Sequence, residues 1–411
     1  MNRLVLIGNG FDLAHGLKTS YKDFIYWYWK QRVLSLRSFC QERSDDGLCI
    51  CTIHGYPTWF QYYYLCSTPF LTITEDKDYY KVFLSKRDYK IKYNPLFERI
   101  HKSIDTKGWV DIENDYYDLL KEYLNDNAPE EKIVALHSEL QLLQEKLVEY
   151  LKSIKVSDEL LNTGIRQKIY APFKTTEISI SGQQALKEHI EAGLELKDRD
   201  WEWKLIPYDS ICYTKGYVEE YKKRLSNNDP YVGQEEPPHE LMLPNNIMLL
   251  NFNYTHTADM YCKKAGIFTV NHIHGDLDNP SSVIFGYGDE LDENYRTLLN
   301  RNDNKYLSNI KSIKYLEADN YRKMLSFIES EPYQILIMGH SCGNSDRTLL
   351  NTLFEHKNCV SIKPYYYKYD KDKDNYIDLV QNISRNFTDM KLMRDRVVNK
   401  TYCEPLTNNN S

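Results

Sequence analysis

Six short strand-like runs recur along this chain, and five of them stop at a glycine or a polar cluster. Leu4 to Ile7 ends at Gly8-Asn9-Gly10, and Ile247 to Phe252 ends at Asn253-Tyr254-Thr255. Phe268 to Ile273 ends at His274-Gly275, Val283 to Phe285 at Gly286, and Gln334 to Met338 at Gly339-His340-Ser341. Val360 to Tyr367 is the sixth. Short apolar runs bounded by turn residues read as strands covered on both faces, the pattern of a parallel sheet. Helical patterns lie between several of them, notably Asp346 to Phe354 and Asn375 to Phe387. The alternation predicts an α/β fold on a doubly wound, mostly parallel sheet.

The middle of the chain has another texture. Tyr, Trp, Lys and Glu dominate, and strand patterns are scarce. Ile133, Leu136, Leu140, Leu143, Leu147, Leu151 and Ile154 form one stripe at steps of three and four, which predicts an amphipathic helix from about Pro129 to Ile154. A second helix is expected from Trp109 to Leu124. The expected organisation is therefore a first strand–turn–helix over 1–30 and a mainly helical insertion over 31–244. The remainder of the α/β core follows over 245–405, with a polar tail over 406–411. Many of the 35 tyrosines are expected to pack amphipathic helices, ring inside and hydroxyl at the surface.

Several classes are disfavoured at once. No apolar run approaches the roughly 18 residues that span a bilayer, and the four-residue run before Gly8 is too short for a signal peptide. A cytoplasmic, membrane-free protein is the expectation. With 52 basic and 59 acidic residues the formal charge is −7, the wrong sign for a dominant nucleic-acid footprint. The nine cysteines include no C-x-x-C pair, so reduced thiols are expected and a structural zinc site is not.

The polar clusters all fall at predicted carboxyl ends of strands, where open α/β sheets bind ligands. A turn with Gly8 and Gly10 lets backbone N–H groups approach an anion, although Leu13 stands where G-x-G-x-x-G needs its third glycine. Asp12 beside such a turn suits ribose hydroxyls or the helix start better than bare phosphate. Asn253 can orient a water or a carboxamide, and His274 can take a proton from water or a hydroxyl. Each also has a plainer role, as a turn asparagine and as a histidine beside a bend. Of the His272-x-His274 pair, the following glycine favours His274, and no further ligand set has metal spacing. Gly286, Gly339 and Ser341 complete the candidate lining, and Asp346 is read as a helix cap.

The run from Leu4 through Gly8-Asn9-Gly10-Phe11-Asp12 to Phe24 resembles the opening signature of the AbiH family of bacteriophage abortive-infection proteins. Trp109-Val110-Asp111-Ile112-Glu113, Asn251-Phe252-Asn253-Tyr254-Thr255, His272-Ile273-His274-Gly275 and Gly339-His340-Ser341 resemble its later blocks in the same order. The order is more distantly similar to sirtuin-like, Rossmann-like NAD-consuming domains. That resemblance implies a nucleotide-binding Gly8–Gly10 turn, Asn253 and His274 as the reactive pair, and Gly339 and Ser341 in the late turn. Asn9 replaces an alanine of that pattern, and the four-cysteine zinc module of the deacetylases is missing. Together the resemblances imply an anti-phage NAD glycohydrolase with NAD as substrate and no metal. Catalysis is expected from Asn253 and His274, and binding from Gly8, Asn9, Gly10, Asp12, Gly286, Gly339 and Ser341. Rival readings are a non-catalytic NAD or ADP-ribose sensor and a nucleic-acid-processing toxin. A phage trigger or a second copy of the chain are the partners such a reading allows.

Overall fold

A computed structural model of the chain describes residues 1–39, 43–53, 73, 75–84, 89–107, 111–205, 208, 215–227, 229, 235–262 and 268–407. They form two compact units, one of residues 1–16, 156–276 and 315–411, the other of 17–155 and 277–314. These units divide the chain differently from the expected boundaries. Residues 17–30 group with the second unit, and 156–244 with the first.

The first unit is built on five strands: β1 (Asn2–Ile7), β2 (Ile247–Asn251), β3 (Phe268–His272), β4 (Tyr333–Met338) and β5 (Cys359–Tyr365). All pair in parallel in the order β3-β2-β1-β4-β5. Every residue of β1, β2, β4 and β5 is buried, which explains why their sequences read as continuous runs. β1 begins two residues before its apolar stretch, so Asn2 and Arg3 are carried into the interior, each 1% exposed. The helix Thr163–Tyr170 packs Ile165 and Ile169 into the same core cluster as Val5, Leu249, Leu336 and Tyr365. That packing is why residues after 156 belong with the sheet.

The second unit contains helices Tyr21–Phe39, Pro95–Lys107, Ile112–Asn125 and Glu130–Lys152. Along the last of these Ile133, Leu136, Leu140, Leu143, Leu147 and Leu151 are buried as expected, but the helix ends at Lys152 and Ile154 lies beyond it, half-buried. Helix Ile112–Asn125 starts at Asp111, whose carboxylate accepts from the Asn114 N–H at 3.1 Å. Trp109 and Val110 lie outside the described residues. This unit also holds a three-stranded antiparallel sheet of Arg43–Asp45, Cys49–Ile53 and Tyr89–Tyr93, which the polar, aromatic texture did not announce.

Val283 to Phe285 is not a strand. These residues are buried in the second unit as irregular chain after a 3-10 turn at Pro280–Ser282. Its backbone bonds go elsewhere: Gln144 Nε2 donates to the Val283 carbonyl, and the Gly286 N–H donates to the Glu113 carboxylate at 3.2 Å. Among the described residues no helix is long and apolar enough to cross a membrane.

Candidate functional site

The winding of the first unit reverses at β1, with β2 and β3 on one side and β4 and β5 on the other. Ligand crevices in open α/β sheets lie outside the carboxyl ends at such a reversal. Here the loops after β1 and β4 are pressed together. A Cβ on Gly8 would stand 2.5 Å from His340 Cα, and one on Gly339 would stand 2.0 Å from the Phe11 nitrogen. Gly339 also has φ +75°, a conformation that favours glycine. The Gly10 N–H donates to the Gly339 carbonyl at 2.8 Å, and the Gly8 N–H to Met338 O at 3.3 Å. These glycines serve backbone-to-backbone approach, and both N–H groups are already bonded. Asn9 is exposed at the same edge.

Asn253 joins the loop after β2 to the loop after β1. Its Nδ2 donates to the Gly8 carbonyl at 3.0 Å, and its side chain also faces the Asp12 carboxylate. Asp12 is 1% exposed and accepts from Thr255 Oγ1 at 2.6 Å. Burial raises the Asp12 carboxyl above its ordinary value, opposed by hydrogen bonds from Thr255, Thr257 and Asn253. Asp12 thus braces the β1 and β2 loops.

His274, 4% exposed, belongs to a buried cluster that the sequence did not reveal. Its Nε2 lies 3.1 Å from Tyr315 Oη and 3.3 Å from Asp346 Oδ1. The other oxygen of Asp346 lies 3.6 Å from His340 Nε2. His340 Nδ1 accepts the Cys342 N–H at 3.0 Å, so a neutral His340 carries its proton on Nε2, towards Asp346. Phe252 fills the space between the imidazoles, its ring centroid 5.3 Å from His274 and 4.2 Å from His340. Asp346 stands at the N-cap of helix Arg347–Phe354 but makes no side-chain cap bond. Its carboxylate bridges the two histidines instead of capping the helix. Cys342, with φ +54°, is in the left-handed region, and Asn386 and Asn382 hold the loop by donating to the carbonyls of Cys342 and Ser341, each at 2.9 Å. Strained backbone of this kind concentrates at functional loops.

His272 and His274 separate because β3 ends at His272 and the next two residues turn. His256, Asp259 and His272 bring possible ligand atoms within 4.8 Å of one another. Asn251 decides how this group behaves. Its Oδ1 accepts from the Asn253 N–H at 3.1 Å and its Nδ2 donates to Thr255 O at 3.0 Å, which fixes the amide. Nδ2 therefore also faces His272 Nδ1, at 3.2 Å. The neutral ring must then carry its proton on Nε2, 3.1 Å from Asp259. A metal would need that nitrogen's lone pair, with the other N–H given to an acceptor. The arrangement suits a hydrogen-bonded imidazole–carboxylate pair better than a metal. Burial pushes Asp259 up, but hydrogen bonds from His256 and His272 outweigh it and hold the carboxyl well below the usual range.

Beside this edge lies a cavity of about 1200 Å³, and Gly10, Gly339, His340 and Ser341 form part of its rim. Neither Asn253, His274 nor Asp12 is among its described lining residues. His340 links the two features, since it lines the cavity and pairs with Asp346. Gly286 belongs to the second unit, where a Cβ would stand 2.1 Å from the Asn309 carbonyl.

The cavity floor is charged, which is unusual for the middle of a parallel sheet. Arg3 of β1 donates to Gln334 of β4 at 2.9 Å and to the carbonyls of Ile169 (2.9 Å) and Ala171. Gln334 donates to Glu177 at 3.2 Å, and Lys363 of β5 donates to the same carboxylate at 2.7 Å. Lys363, a charged letter inside the run Val360 to Tyr367, was the available signal, whereas Arg3 stands just ahead of the run Leu4 to Ile7.

A family model described as bacteriophage abortive infection AbiH matches residues 4–369 of the chain. No curated protein and no solved structure matches it.

Proposed function

The chain belongs to the AbiH family of bacteriophage abortive infection, and on that premise we propose that it is an effector that cleaves NAD to nicotinamide and ADP-ribose. The observation that carries this reading is the convergence at the β1–β4 reversal. There a cavity of about 1200 Å³, above the usual range for a small-ligand pocket, opens beside His340, whose carboxylate partner also holds His274. The strand order matches the first five strands of dinucleotide-binding sheets, which supports a Rossmann-like or sirtuin-like relationship.

In this reading the dinucleotide occupies the cavity with Ser341 at a ribose or phosphate oxygen. Gly8, Gly10 and Gly339 keep the loops thin enough for the ligand to lie close to the strand ends. The nicotinamide end points towards Asn253 and His274. The C1′–N bond breaks with its electron pair going to the pyridinium nitrogen, so neutral nicotinamide leaves and positive charge passes to the ribose. Water then bonds to C1′ and gives its proton to His274, while the Asn253 Oδ1 orients it. His274 is buried, so substrate must displace a neighbour such as Tyr315 to reach it. That burial favours a second reading, a sensor that binds NAD or ADP-ribose without turnover.

The test is to incubate purified protein with NAD and to measure free nicotinamide. Wild type should release it, and His274→Ala and Asn253→Ala should each lose on the order of 10²-fold or more in rate. Equal release by all three would refute the assignment. NAD binding without release would select the sensor.

A further inference from the structure

Two lysines on the cavity wall face a carboxylate supplied by the chain itself. Lys168 Nζ lies 3.8 Å from Glu404 Oε2, and Lys363 Nζ lies 3.7 Å from Glu404 Oε1. Both ammonium groups sit over the Tyr365 ring, 5.4 and 5.1 Å from its centroid. Their side chains are 15% and 4% exposed, whereas that of Glu404 is 48% exposed. Burial lowers the Lys168 pKa, and the neighbouring Lys363 lowers it further against the pull of Glu404.

Each ammonium has three protons to place. Lys168 gives two to the carbonyls of Pro405 and Leu406, at 2.6 and 2.8 Å, and Lys363 gives one to Glu177 at 2.7 Å. What remains on each turns to Glu404, at distances about 1 Å longer than a charge-assisted hydrogen bond. Glu177 already neutralises Lys363, and Glu404 offsets the charge that remains on the pair without fitting it. An anion whose oxygens reached both ammonium groups directly would bind better than this carboxylate.

The backbone beside Glu404 is held, so only its half-exposed side chain needs to move for the carboxylate to leave the lysines. Leu406 N–H donates to Tyr366 O at 2.9 Å, and Tyr366 N–H to Glu404 O at 3.4 Å. Lys168 bonds the Pro405 and Leu406 carbonyls, and Leu406 is buried in the core cluster of the sheet. Glu404 and Leu406 both line the cavity.

We propose that Lys168 and Lys363 form a phosphoryl-binding subsite of this cavity, and that Glu404 occupies it as a built-in competitor until a ligand displaces it. The proposal rests on the reading above that the cavity takes a nucleotide, and it does not depend on cleavage. It gives a physical basis for low affinity in the resting protein.

The experiment is calorimetric titration of the full chain with inorganic pyrophosphate and, separately, with ADP-ribose, for wild type, Glu404→Gln and Lys168→Met. Glu404→Gln should tighten binding roughly tenfold and Lys168→Met should weaken it roughly tenfold, the scale of two partly exposed ion pairs. Opposite signs matter, because a merely structural role would weaken binding in both variants. The pattern with both probes supports a phosphoryl subsite, and with ADP-ribose alone it supports one reached only by a nucleotide. Unchanged or weaker binding by Glu404→Gln, or no binding of either probe, overturns the proposal. The opposite-sign pattern without nicotinamide release would sink cleavage only, and release with unchanged Glu404→Gln affinity would sink the competitor only.

Discussion

Glu177→Ala is expected to lower the folding stability of the first unit by about 3–5 kcal/mol, the usual consequence of stranding a buried charge. Glu177 is 6% exposed, and it is the carboxylate through which Lys363, 3% exposed, is neutralised at hydrogen-bond distance. The same carboxylate accepts from Gln334, which in turn holds the Arg3 guanidinium. Its main chain is also engaged, since Ser361 Oγ donates to the Glu177 carbonyl at 2.6 Å. Removing the carboxylate leaves two cations near one another in the floor, with Glu404 as a distant and half-exposed substitute. Glu177→Leu combined with Lys363→Met should recover much of the loss, because the desolvated charge disappears with its partner. Denaturant unfolding of both variants decides this. A Glu177→Ala protein within about 1 kcal/mol of wild type would mean that water reaches the network and that its charges are screened.

Asp346→Asn is expected to cut nicotinamide release by roughly 10²- to 10⁴-fold, the scale of losing the carboxylate that orients a catalytic imidazole. Asp346 offers one oxygen to His274 and the other to His340. An amide keeps the shape but presents an acceptor on one side only. His340 must receive the acceptor, because its Nδ1 is committed to the Cys342 N–H. The amide donor would then face His274 Nε2 and force that ring into the other tautomer. The expected signature is a fall in kcat with little change in KM and a displaced pH profile, since Asp346 is a positioning residue. A parallel rise in KM with kcat intact would assign Asp346 to ligand binding instead.

β1, β2, β4 and β5 were legible because each is a short run buried from both faces, and glycine or polar letters marked where the runs of β1 to β4 ended. Val283 to Phe285 carried the same local pattern and failed, since apolar burial can be met by irregular chain when side chains such as Gln144 and Glu113 take its backbone groups. The sheet around Cys49–Ile53 was missed although Tyr89-Lys90-Ile91-Lys92-Tyr93 alternates strictly, because that strand is one short run in a polar, aromatic stretch and its partners Arg43–Asp45 and Cys49–Ile53 are short and carry no such pattern. At the site, Gly8, Gly10, Gly339, Asn253 and His274 stood out because each follows a strand. Asp346, Tyr315 and Glu177 did not. Tyr315 and Glu177 take their roles from partners 41 and 186 positions away, His274 and Lys363, and Asp346 joins nearby His340 to distant His274; such pairings leave no local period. Asp346 illustrates the ambiguity: a carboxylate before a helix is most simply a cap, and only the fold shows two imidazoles in front of it.

NAD loss is the proposed means by which this family member acts. The direct measurement is cellular NAD after phage infection of cultures expressing wild type or His274→Ala. NAD should collapse, and phage yield should fall, only with the wild type. Phage blocked by the wild type while cellular NAD stays level would contradict it.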